Sequence, residues 1–479
     1  MSQGLIHFAD GLNFIALKLS IDNNTNEILM KYLVILISLC VFTGSKAQAP
    51  SEMLGRPTDG SITINVLSTS AMEMYWEYGT KQGAYSSKTP VFNVAAGLPL
   101  ELELKQLSPD TRYFYRSRFR ASGTKGIFTE GDEHFFHTQR KTGKSFQFAV
   151  EADPHLDSNT IHEAYRTSLR SMLLNKPDFL VDLGDNFMND KLPNPSREEI
   201  TKRNLLFRSF FNELNHSVPL YLTLGNHEGE VGWRQKPGHD SLPIWATQIR
   251  KQYYPNPYPN AFYSGNTVTL KGVGLPENYY SWHWGDALFL VIDPYIHTKN
   301  RGEWAWTLGK DQYDWFRNTL EKSSATFKFV FSHQLVGGSG KEARGGTEFA
   351  HLFEMGGRNS DSTWGFDANR PGWGKPIHQL MVENKVSVFF HGHDHFYGKQ
   401  DKDGVIYQAV PQPSSRNINK ITGTAYGYKD GVLLPGRGYM LIHVSSNEAK
   451  VEFIRTYLPH EENPNRKNGE VAHSYTIQR

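Results

Sequence analysis

Five short apolar runs in this chain each end on side chains that can bind a metal or move a proton. FQFAVEAD (Phe146 to Asp153) is followed by His155. FLVDLGD (Phe179 to Asp185) ends on Asp185, and LYLTLGN (Leu220 to Asn226) ends on Asn226, with His227 and Glu228 next. FKFVFSH (Phe327 to His333) ends on His333, and VSVFFHGH (Val386 to His393) runs into His391, His393, Asp394 and His395. Near-continuous apolar runs of this length are strands buried on both faces. Between them, Ile161, Ala164, Tyr165, Leu169, Met172 and Leu173 fall on one helical face, with Ser158 or Asn159 as the expected cap. A second helix, DQYDWFRNTLEK, precedes FKFVFSH, and ALFLVID (Ala287 to Asp293) adds a strand. Strands alternating with helices predict an α/β domain, and open α/β sheets place their sites at the carboxyl ends of strands.

The first part of the chain follows another rule. ITINVL (Ile62 to Leu67), MEMYWEY (Met72 to Tyr78), LELELKQL (Leu100 to Leu107) and YFYRSRF (Tyr113 to Phe119) alternate apolar with polar residues, separated by Gly, Pro, Ser and Asp. That period predicts half-buried antiparallel strands in a β-sandwich over 50–140. LSPDTRYFY (Leu107 to Tyr115) resembles the Leu-x-Pro-x-Thr-x-Tyr segment of fibronectin type III-like domains. QRKTGK (Gln139 to Lys144) reads as a linker, and the α/β domain is expected over 145–460. GVIYQAV (Gly404 to Val410), YMLIHV (Tyr439 to Val444) and AKVEFIRTY (Ala449 to Tyr457) are expected to complete a second sheet, and 461–479 to form a tail.

With 38% apolar residues in 479, the chain can bury a large core without staples. Its single cysteine, Cys40, excludes a disulfide framework and a zinc–thiolate site. Cys40 lies in MKYLVILISLCVFTGSKAQA (Met30 to Ala49), which has a basic start, an apolar run too short to span a bilayer, and the small-residue site Ser45-Lys46-Ala47. This is the layout of a secretory signal peptide over 30–47, with 1–29 as an upstream extension. The reading predicts a secreted or periplasmic protein with no membrane span. A net charge of +2 gives no reason to expect a nucleic-acid polymer as partner.

A lone histidine at a strand end is usually structural. Five strand ends that all carry N or O donors need another explanation. Asp, His and Asn without Cys suit Zn, Mn, Fe or Ni, and the set exceeds what one ion needs. Two ions sharing a carboxylate would use all of it and form a clamp for phosphoester displacement.

Asp153-x-His155, Gly184-Asp185, Gly225-Asn226-His227-Glu228, His333 and Gly392-His393-x-His395 occur in that order. The series resembles the calcineurin-like metallophosphoesterase superfamily, which includes purple acid phosphatases and cyclic-nucleotide phosphodiesterases. The sandwich resembles the N-terminal domain of purple acid phosphatases and their bacterial relatives. The resemblance implies two mixed sheets packed together and flanked by helices, and a pair of divalent ions (Zn, Mn or Fe). It implies Asp153, His155 and His395 at the first ion, Asp185 between the two, and Asn226, His333 and His393 at the second. His227 would face the leaving group as general acid, with Glu228 orienting it. Purple acid phosphatases have Gly where this chain has His155 and Tyr where it has Met188, so a colourless, divalent centre is expected.

His391 is expected to be structural, as are His239, His283 and His351. Arg344 and Lys341, in the Gly-rich loop after His333, are candidates for contacting a phosphate's free oxygens, and Asn226 would also face substrate. The aromatic-rich stretch Gly229 to Tyr280 is expected mainly to pack loops. The function these features imply is hydrolysis of a small-molecule or nucleotide phosphoester, foremost a monoester. A phosphodiesterase, an inert surface binding protein and a structural metal domain are the alternatives, and oligomeric state is left open.

Overall fold

The computed structural model describes residues 49–479 apart from 237, 239, 338–343 and 345. The expected signal segment, the upstream extension, Cys40, His239 and Lys341 lie outside the described residues. Among the described residues no helix is long and apolar enough to cross a membrane.

The alternating segments form an N-terminal β-sandwich. Ser51–Gly55, Ile62–Leu67 and Leu100–Leu104 make one antiparallel sheet, and Met72–Gly79 pairs with Arg112–Ala121 at the centre of the other. Along Arg112–Ala121 every second residue from Tyr113 to Phe119 is buried, as a pleated strand with one wet face requires.

Two further sheets build the rest. The first is six-stranded, in the order Leu220–Leu222, Leu180–Asp182, Phe146–Glu151, Gly438–Val444, Glu448–Arg455, Val471–Gln478. The second has eight strands; its core is the parallel run Ala287–Val291, Phe327–Ser332, Val388–His391 and Val405–Ala409. The sheets face each other across an aromatic core. The Phe148 ring lies 5.3 Å from Phe179 in its own sheet and 5.1 Å from Phe289 in the other. Helices His162–Asn175, Arg197–Phe211 and Leu242–Tyr253 cover the outer face of the first sheet, and Lys310–Lys322 and Ile377–Glu383 that of the second. Both sheets are thereby buried on two faces, which is why their strands read as unbroken apolar runs.

Three expectations are corrected. The strand Val405–Ala409 joins the eight-stranded sheet, while Gly438–Val444 and Glu448–Arg455 join the six-stranded one, so the three closing runs are split between sheets. Residues 461–479 are no mere tail: Val471–Gln478 is the edge strand of the six-stranded sheet, with alternate residues exposed. The helix His162–Asn175 is capped by Ile161 with no side-chain bond, because Asn159 instead turns back to Asp157, whose Oδ1 accepts its N–H at 2.8 Å.

The sandwich is bonded to the six-stranded layer. Buried Arg208 donates to Asn65 Oδ1 and Asn65 O, both at 2.7 Å, and Tyr115 OH donates to His216 O at 2.6 Å. At the same seam the rings of His134 and His216 lie 4.1 Å apart. Burial, then the neighbouring imidazole, holds His134 down at about 3; burial takes His216 to about 4. In the unfolded chain both return to about 6.5. Below that pH the unfolded chain binds protons that the folded one refuses. The stability contributed by the neutral pair is therefore complete above about pH 6.5 and drains away toward pH 4. Urea midpoints measured from pH 7 to pH 4 should fall more steeply for the wild type than for His134→Gln. Parallel curves would show that the pair does not govern acid stability.

Candidate metal centre

Every expected donor lies at the carboxyl end of a strand, where the chain turns sharply. Asp153, His155, Asp185, His393 and His395 all have positive φ, between 54° and 72°. That region is costly for a residue with a side chain and persists where surrounding contacts impose it. Crowding between the loops is part of that imposition. A Cβ on Gly225 would overlap Asp185 Oδ1, and one on Gly392 would come within 2.7 Å of Asp153 Oδ2.

The turns gather six of these side chains into two groups, Asp153 with His155 and His395, and Asp185 with His333 and His393. Within each group the ligand atoms lie within 4.8 Å of one another. Asp153 Oδ2 accepts the His393 N–H at 2.8 Å, which aims Oδ1 inward. Oδ1 sits 3.4 Å from His395 Nε2 and 3.7 Å from both His155 Nε2 and His333 Nε2. Asp185 Oδ1 accepts the His227 N–H at 2.8 Å, and its Oδ2 lies 3.2 Å from His333 Nε2, 3.7 Å from His155 Nε2 and 3.8 Å from His227 Nε2. Asp185 therefore touches members of both groups. His333 Nδ1 donates to Leu183 O at 2.8 Å, which turns its Nε2 toward Asp185 and the centre.

The carboxylates and imidazoles of the site shift one another. Burial would raise Asp153 and Asp185, yet His333 with its imidazole neighbours holds both well below the usual carboxylate range. Burial would depress His333, but Asp185 and Asp153 carry it up to about 9. Asp153 Oδ1 and His155 Nε2 in the first group, and Asn226 Oδ1 in the loop between Gly225 and His227, are buried with no hydrogen-bond partner among the described residues. Buried polar atoms are rarely left so, and unbonded N and O donors among ionised carboxylates and imidazoles fit divalent cations.

The other expected residues divide. His227 lies at the rim of this cluster, its ring centroid 6.0 Å from that of His155. It is oriented by Asp190, whose Oδ1 faces His227 Nδ1 at 2.9 Å, and not by Glu228. Glu228 is fully buried and its carboxylate accepts the backbone N–H groups of Gly225, Asn186 and Asp185 at 2.5, 2.6 and 3.1 Å. Its role is to tie two ligand loops together, since three convergent N–H groups claim its oxygens. Burial, then Asp185, pushes it up to about 7. Asp190 went unnoticed in the sequence; an acid following Gly184-Asp185 within the same loop was the available signal.

Arg344 is one-third exposed and donates to His393 O at 3.1 Å and Asp394 Oδ1 at 3.3 Å, with its guanidinium over Tyr426. It stands beside the second group and retains exposed surface there. His391 is buried, with Nδ1 3.4 Å from Gly392 O, and is not in either group. Met188, in place of the purple-acid tyrosine, is buried at the left-handed start of the turn that carries Asp190. Most aromatics of the stretch from Gly229 to Tyr280 are buried packing residues, such as Tyr253, Tyr254, Tyr263 and Tyr280.

A model of the calcineurin-like phosphoesterase family matches residues 146–397, more than half of the chain. Among solved structures, that of PhoD superposes with a TM-score of 0.64 at 14% identity, covering 89% of this chain and 90% of that one. Purple acid phosphatase PPD1 from yellow lupin (Lupinus luteus) seeds superposes with a TM-score of 0.61 at 17% identity, covering 90% and 74%. At such identities the likeness is one of fold, sandwich included. No curated protein sequence matches the chain. The residues matched by the family model contain every strand end that supplies the two donor groups, and the chain belongs to the calcineurin-like phosphoesterase family of metal-dependent phosphoester hydrolases.

Proposed function

We propose that this chain is an exported phosphomonoesterase with a dinuclear centre. The observation that carries the reading is the pair of donor groups joined through Asp185, with Asp153 Oδ1 and His155 Nε2 buried and unbonded within them. Asp153, His155 and His395 would hold one divalent ion; Asn226, His333 and His393 would hold the other, with Asp185 between. When bound, such ions supply hydroxide at neutral pH and neutralise phosphoryl oxygens.

The remaining chemistry belongs to the chain. Asp153 and Asp185 stay ionised, so the ions are held by charge as well as by lone pairs. His227 is anchored at Nδ1 by Asp190 and keeps Nε2 toward the centre, placed to give a proton to the departing alkoxide. Arg344 offers exposed guanidinium surface beside the second group, which suits the additional negative charge of a monoester. In-line attack without a phosphoenzyme requires inversion at phosphorus. Export is read from the Met30 to Ala49 segment.

Residues 48–479 should purify with about two ions per chain and hydrolyse p-nitrophenyl phosphate faster than bis(p-nitrophenyl) phosphate. Chelation should abolish turnover of both, with divalent metal restoring it. The opposite ester preference would make it a phosphodiesterase, and metal bound without turnover of either ester would make it a binding protein.

A further inference from the structure

Beside the His155 loop lies an open recess of about 860 Å³, within the range of small-molecule sites. Leu156 and Asp157 form its edge nearest the metal centre, and Asp157 Oδ2 is 3.7 Å from His155 Nδ1, so a single side chain separates recess from centre. Arg203 and Arg416 reach it from two other parts of the fold, the helix Arg197–Phe211 and the loop after Val405–Ala409. Neither arginine lies within ion-pair distance of a carboxylate among the described residues; Arg416 donates only to Ser158 O, at 3.3 Å. The other arginines near the centre behave differently: Arg344 faces Asp394, and Arg234 is 4.0 Å from Asp190. Asp157 is the single carboxylate lining the recess, and it is turned to His155. His460 adds a further donor.

We propose that this recess binds a second anionic group of the substrate, so that the preferred phosphoester carries another phosphate away from the scissile bond. The inference rests on the phosphoesterase reading above. Two guanidinium groups without carboxylate partners present planar forks that match phosphate oxygens. Their place next to a ligand loop makes one molecule able to occupy centre and recess together. Net charge of the whole chain is nearly zero, so the cationic lining is local.

The test compares glucose 1,6-bisphosphate with glucose 1-phosphate on the metal-loaded protein, with p-nitrophenyl phosphate as the reference ester. The wild type should favour the bisphosphate in kcat/KM by about tenfold or more, the scale of one charge-assisted contact. Added salt should shrink the preference, because the recess is open to solvent. Arg203→Gln, Arg416→Gln and the double variant should lose the preference stepwise while turnover of p-nitrophenyl phosphate stays unchanged. Arg203→Gln removes no hydrogen bond or ion pair among the described residues, which guards against a folding artefact. Equal use of the two sugars by the wild type, or a preference that survives in the double variant, overturns the proposal. Failure of the wild type on p-nitrophenyl phosphate itself would instead strike the monoesterase reading.

Discussion

Asp185→Asn should remove metal from both donor groups and abolish phosphoester hydrolysis. The carboxylate reaches into both groups, with Oδ2 at 3.2 Å from His333 and 3.7 Å from His155. The amide keeps the shape and can keep the Oδ1 bond to the His227 N–H, so the loop should still fold. It loses the charge and turns one donor atom into an N–H that no cation will accept. Turnover should drop by about a thousandfold or more, corresponding to about 4 kcal/mol of lost transition-state stabilisation. Asn226→Ala is the control: it removes a donor assigned to one ion alone and should leave the other bound. Metal analysis of the purified variants, run beside the ester assay, separates the two. An Asp185→Asn protein that retains two ions and turns over at the wild-type rate would remove Asp185 from the centre.

Much of this site was legible because metal chemistry and strand geometry restrict each other. A buried strand has nowhere to place Asp or His except at its end, so FLVDLGD and VSVFFHGH announce both a sheet and a site in the same residues. Periodicity gave the sandwich for a similar reason: one wet face forces alternation. What was hidden depends on where turns aim side chains. Asp190 sits in a single 3-10 turn that follows a left-handed Met188, and no pattern of residue types predicts that its carboxylate returns to His227. Glu228 adjoins His227 in sequence, yet three N–H groups, one from its own loop and two from the Asp185 loop, hold it elsewhere. Ser158 and Asn159 looked like helix caps but belong to a turn organised by Asp157. The partition of the last strands between two sheets is decided by long-range pairing, since Val405–Ala409 and Gly438–Val444 are equally apolar.

His227→Ala should lower kcat by about a hundredfold to ten-thousandfold, the usual contribution of a positioned general acid, with both ions retained. The structure separates these two effects. His227 lies beside Asp185 but is in neither donor group, and its Nε2 remains 3.8 Å from Asp185 Oδ2. The size of the loss should depend on the leaving group. p-Nitrophenolate departs without help, so its ester should suffer least; an alkyl phosphate needs the proton and should suffer most. Asp190→Asn should reproduce the pattern at smaller amplitude, about tenfold to a hundredfold, because it leaves the imidazole in place and removes only the partner that fixes Nδ1. Glu228→Gln supplies the contrast. Its carboxylate holds the Asp185 and Gly225 loops, so its loss should be felt in metal affinity and thermal stability, equally for good and poor leaving groups. A His227→Ala enzyme equally impaired on nitrophenyl and alkyl esters would mean that the imidazole binds substrate without donating a proton. Leaving-group dependence in Glu228→Gln but not in Asp190→Asn would return Glu228 to the role its position in the sequence suggests.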